Sequence, residues 1–165
     1  VSTSFTLAVF ADADFGTNVA GGEFALAASS GGDIVSDITG AAVAWGGLGE
    51  NDRGYAGHGN HTGMVFGQLI FPPFIAADPA SALGNGGVLV ATMTVTIAAD
   101  SSGVISWDTA NGPGDFALEI FDGADGSFTQ LLSVGAGSAS VNVVPAPSAM
   151  ALLGLGGLVA GRRRR

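Results

Sequence analysis

Apolar and polar side chains alternate in short stretches along this chain, and the alternation marks out its strands. The clearest stretch is Val88–Ile97, where Leu89, Ala91, Met93, Val95 and Ile97 fall on one face and Thr92, Thr94 and Thr96 on the other. A period of two with threonine on the polar side describes a half-buried strand. Phe5, Leu7 and Val9 mark another that ends at Asp12-Ala13-Asp14, and Phe24 and Leu26 a third, opened by Gly21-Gly22. Residues 34–45 read as one or two strands broken near Gly40, and residues 62–71 as a strand stopped by Pro72-Pro73. Four more runs follow at 104–107, 116–121, 128–134 and 138–144, separated by turns rich in Gly and Asp. One short helical turn fits at 78–83.

About nine strands at this spacing, with no long helical period, predict an all-β chain folded as a single antiparallel β-sandwich. Composition agrees. Glycine takes 28 of 165 positions, and lysine, a strong helix former, is absent. The glycines follow no triplet period, which excludes collagen, and an apolar content of 47% excludes disorder. Trp45 and Trp107, each on a strand-like run, are predicted core anchors.

The end of the chain breaks the pattern. Val144-Pro145-Ala146-Pro147-Ser148 form a hinge, because two prolines deny a helix its donors and hold the backbone extended. Residues 149–161 contain no polar side chain; Ala149, Leu152, Leu153, Leu155, Leu158 and Val159 make them a stretch that seeks lipid or a translocon channel. Arg162, Arg163, Arg164 and Arg165 then resist crossing, which fixes that end on the cytoplasmic side. As a helix the apolar run spans only about 20 Å at 1.5 Å per residue, against a hydrocarbon core of roughly 30 Å. Its glycines weaken it as a helix in water, and it has no polar face to lie on a surface. A short C-terminal hydrophobic helix of this kind suits a transient anchor. The expected organisation is therefore a β-sandwich domain at 1–143 and a sorting segment at 144–165.

This order of hinge, apolar run and arginine cluster resembles the PEP-CTERM sorting signal of exported bacterial proteins. The likeness is close in Ala151-Leu152-Leu153-Gly154-Leu155-Gly156-Gly157-Leu158 and at the arginine end, and it departs at Ala146, where the name-giving motif has Glu. The resemblance implies export, processing near the proline motif by an exosortase-type enzyme, membrane association through the C-terminal segment, and a place at the cell envelope or outside the cell. A second resemblance concerns the body. An N-terminal strand, then Gly21 to Ser29, then Gly84 to Ile97, is similar in layout to cohesin and cellulose-binding modules. That likeness implies a jelly-roll or cohesin-like sandwich and a secreted scaffolding or sugar-binding module, with extracellular polysaccharide as a partner, and brings no site residue with it.

Charge and cysteine usage fit an exported protein. The chain has no cysteine, so it carries neither disulfides nor thiol chemistry. All fourteen carboxylates precede Arg162 and Arg53 is the one cation among them, which leaves residues 1–161 at a net −13. Such a body repels nucleic acid and anionic membranes. No initiator Met and no basic-then-apolar leader precede Val1, and an exported chain needs one; the expectation is a leader already removed or a chain that is a fragment.

Candidate chemistry is sparse. Residues 50–62 hold both histidines, and His58 and His61 with Asp52 or Glu50 are candidate transition-metal ligands, imidazole plus carboxylate suiting zinc or copper. Flanking Gly57 and Gly59 favour a solvated loop instead. Asp122 and Asp125, in a turn with Ser127, are a candidate calcium pair, with Asp12 and Asp14 as a second; Asp and Gly are equally what a tight turn requires. No Gly-x-Ser-x-Gly elbow and no phosphate-cradling loop occur, so no catalytic residue is assigned. The sequence thus predicts a non-enzymatic structural or adhesive protein of the cell surface or matrix, or alternatively a surface-presented carbohydrate-binding module.

Overall fold

A computed structural model of the chain describes residues 3–43, 45, 51–68, 77–84 and 86–144, and these are all-β. Eleven strands follow one another: β1 Thr3–Ala11, β2 Asn18–Ser30, β3 Val35–Ala42, β4 Asn51–Asp52, β5 Tyr55–Gly57, β6 Asn60–Gly67, β7 Val88–Ile97, β8 Gly103–Asn111, β9 Leu118–Asp122, β10 Ser127–Leu131 and β11 Ser138–Val143. All pairings are antiparallel. The C-terminal hydrophobic helix expected at 149–161 lies outside the described residues, and none of the helices within them is long and apolar enough to cross a membrane.

The strands form two sheets. The smaller has the order β1-β7-β3. In the larger, β2 is the spine. Gly21 pairs with Gly67 of β6 and Glu119 of β9, and Leu26 with His61 of β6 and Thr109 of β8, so β6 runs along one side of β2 while β9 and β8 lie end to end along the other. β10 extends outward from β9, β11 from β8, and the short β4 and β5 from β6. Phe24, Leu26, Met64, Phe66 and Trp107 of the large sheet and Ile38, Met93, Val95 and Ile97 of the small one are buried in a single core. Burial of these apolar side chains is the main driving force of such a fold. Trp45 and Trp107 are both buried, as their strand-like settings implied.

The structure refines the expected pattern in several places. β7 occupies the predicted residues, but Leu89 is not on the buried face. Val9 pairs with Ala91 and Phe10 with Leu89, so Val90 is an extra, bulged residue. The bulge turns Val90 inward, 1% exposed, and leaves Leu89 half-buried. β3 runs through Gly40 without a break. The helical turn expected at 78–83 is the 3-10 turn Pro79–Ser81, capped by the Asp78 carboxylate accepting from the Ala80 amide. The strands β4 and β5 are too short to show a period.

Candidate functional site

Two carboxylate-centred clusters flank β6. In the first, Asp52 on β4 accepts from the Nε2–H of His61 on β6 at 2.6 Å and from the Gly54 amide at 2.7 Å through one oxygen. Its other oxygen accepts from the Gly40 amide of β3, in the opposite sheet, at 2.6 Å. Burial alone would raise the Asp52 pKa, but the Gly40 and Gly54 amides and the His61 ring outweigh it and hold the carboxyl below its ordinary range. An ionised carboxylate only accepts, so Nε2 of His61 carries the proton. Nδ1 of this fully buried ring has no partner among the described residues.

The second cluster lies on β2. Glu23 is 5% exposed, in an otherwise apolar strand, and its carboxylate takes both Nε of Arg53 at 2.6 Å and Nη2 at 3.1 Å. Three glycines make the room: a Cβ at Gly63 would stand 2.5 Å from Glu23 Oε1, and one at Gly112 or Gly114 would run into the Glu23 side chain. The pair pins the β4–β5 turn to the spine strand across β6. Sequence reasoning did not single out this pair. The signal was available, in one carboxylate inside an apolar strand and one cation in the whole body.

The remaining candidates are dispersed. His58 sits at positive φ in the β5–β6 turn, is highly exposed, and bonds Asp33 Oδ1 through Nδ1 at 2.6 Å. The two histidines thus engage different carboxylates, and no group of three or more His, Asp or Glu is gathered among the described residues. Asp122 and Asp125 share the β9–β10 turn, where each spends an oxygen on it, Asp122 accepting from the Ala124 amide and Asp125 from the Ser127 amide, both at 2.9 Å. The Ser127 hydroxyl and amide hold the Asp125 carboxyl below its ordinary range. Asp12 accepts from the Ala13 and Gly84 amides, each at 3.0 Å, tying two loops together.

A groove of about 530 Å³ opens at the edge of the small sheet, between β1 and residues 134–139 that lead into β11. Its deep end reaches the core at Phe24, Trp107 and Leu118.

The C-terminal segment begins where β11 ends. β11 closes on β8 with Val143 opposite Gly103, and Val144 is 73% exposed, so the chain leaves the larger sheet from a strand that is at its edge among the described residues. Residues 143–165 match the PEP-CTERM protein-sorting motif. The chain therefore carries an envelope-sorting signal. Pro145, Ala146, Pro147, the apolar run and the arginines at 162–165 lie outside the described residues. The motif marks an exported protein sorted to the envelope, and it signals exosortase processing and membrane association. No curated protein and no solved structure matches the chain.

Proposed function

We propose that the PEP-CTERM-bearing chain is a non-enzymatic structural or adhesive module of the cell surface or extracellular matrix. The observation that carries this reading is the sorting motif leaving directly from an edge strand of an acidic all-β body. Support comes from the way the body uses its chemistry-bearing side chains. Asp52 and His61 join the two sheets, Glu23 and Arg53 pin a turn, and Asp122 and Asp125 close a hairpin. Each is spent on the fold itself. In this reading the four arginines hold the end of the chain at the cytoplasmic face until an exosortase acts near Pro145–Pro147.

One observation favours a surface-presented carbohydrate-binding module as the alternative. The outer face of the small sheet aligns Ser4 with Thr96 and Asp37, and Thr6 with Thr94 and Thr39, a row of hydroxyls with one carboxylate that supports contact with a polysaccharide. A glycan array separates the two: the structural reading expects no saturable binding, and a saturable glycan would replace it with the alternative. Replacing Arg162, Arg163, Arg164 and Arg165 by Ser tests the sorting role, with loss of the envelope fraction expected and unchanged fractionation counting against it.

A further inference from the structure

Among the described residues β1 is an edge strand: it pairs there only with β7, and its nine residues carry no charge. Edges of this kind are open templates for another strand unless charge, proline or a covering element blunts them. Same-face side chains show where the neighbour is missing: Met93 and Val95 of β7 are fully buried, whereas Leu7 and Val9, paired with Met93 and Ala91, stay half-buried. The groove runs along this edge. Its lining takes Leu7 to Asp12 in unbroken succession, residues from both faces of the strand, so its wall is the strand's backbone rather than one side of it. Val134, Gly135, Gly137, Ser138 and Ala139 line it as well, and Phe10 and Val134 among the lining residues are exposed.

We propose that this slot is a strand-addition site, which takes an extended, neutral-to-basic peptide segment of a partner protein. The segment pairs its backbone with the open edge of β1 and lays alternate apolar side chains against Leu7 and Val9. Main-chain hydrogen bonds supply affinity in such complexes and alternate side-chain pockets supply selectivity. At about 3.3 Å per residue, the wall from Leu7 to Asp12 accommodates a segment of about six residues. Charge selects the partner over a second copy. Two bodies of net −13 repel each other, and Asp12 at the slot adds to a field that favours lysine or arginine flanking the bound strand. The proposal goes beyond the sorting reading and stands or falls apart from it, since it concerns peptide binding and not localisation.

The test uses the full chain and the synthetic peptide Lys-Val-Thr-Val-Thr-Val-Lys, followed by calorimetry and by amide hydrogen exchange. Expected are saturable binding, slowed exchange confined to the Leu7–Ala11 amides, and binding weaker by about tenfold or more when alternate peptide nitrogens along one edge are methylated. Replacing the two peptide lysines by glutamates should weaken it comparably. Unchanged binding when alternate peptide nitrogens are methylated, along one edge or the other, would make the groove an apolar small-molecule pocket and overturn strand addition. Protection of the same amides without peptide, growing with protein concentration, would make a second copy the occupant. Absence of binding at millimolar peptide would also reject the proposal.

Discussion

Asp52 receives the Nε2–H of His61 at 2.6 Å with one oxygen while its other oxygen reaches across to the Gly40 amide of the facing sheet. One carboxylate therefore holds β4, β6 and β3 together. Its folded pKa lies below the ordinary 3.8 that it regains on unfolding. The sign follows from linkage: the stabilisation is complete above the unfolded value and is lost as pH falls through the folded one. Asp52→Asn should cost about 1–3 kcal/mol at neutral pH, since hydrogen bonds to a charged group are lost. It should also flatten the fall in Tm between about pH 5 and pH 2. Asp125 contributes with the same sign, so the difference between wild type and variant, read by circular dichroism across pH, isolates Asp52. Parallel Tm curves would show that Asp52 does not titrate with folding.

Glu23 and Arg53 lend themselves to a double-mutant test. The Glu23 side chain is 6% exposed and its carboxylate has no other charged partner among the described residues, while Arg53 keeps 38% of its side chain in water. Removing the cation alone strands a buried carboxylate; breaking fully buried pairs costs about 3–5 kcal/mol, and the open guanidinium lowers the expectation to about 2–3 kcal/mol. Arg53→Met should therefore destabilise more than Arg53→Met combined with Glu23→Met, although the second change removes more polar contacts. Urea denaturation at pH 7 decides the order. A double variant less stable than the single one would show that the pair contributes net attraction beyond neutralising Glu23.

Much of the fold was legible because a period of two is visible wherever one sheet face is dry and the other wet. β7 and β11 stand within a residue of their expected bounds for that reason, and β1 ends one residue before the expected Asp12. β4, with two residues, has no period to read. Leu89 was placed on the wrong face because a bulge at Val90 shifts the phase, and bulges depend on the partner strand rather than on local pattern. The Asp52–His61 pair stayed hidden for a related reason. The two residues were read together as loop candidates for a metal, whereas β6 carries His61 into the interior and leaves His58 in solvent. The sorting segment was the most legible feature, since its three parts act through composition and need no tertiary contact.

Gly32 offers a test of how closely the β5–β6 turn is seated. A Cβ at Gly32 would collide with the His58 carbonyl oxygen, and one at Gly59 would lie 2.7 Å from Gly32 Cα. Trp107, fully buried, donates its Nε1–H to the Gly59 carbonyl at 2.9 Å, so the same turn satisfies the polar atom of a core side chain. Gly32→Ala must push that turn outward and loosen the indole bond, combining backbone displacement with an unpaired buried donor. The expected loss is about 2–4 kcal/mol, accompanied by a shift in tryptophan emission. Gly135→Ala is the matched control: nothing lies within 4 Å of its added methyl, and its effect should stay within about 0.5 kcal/mol. Guanidinium denaturation followed by fluorescence measures both. Equal stability of the two variants would mean that the turn can relax away from Gly32 without disturbing Trp107.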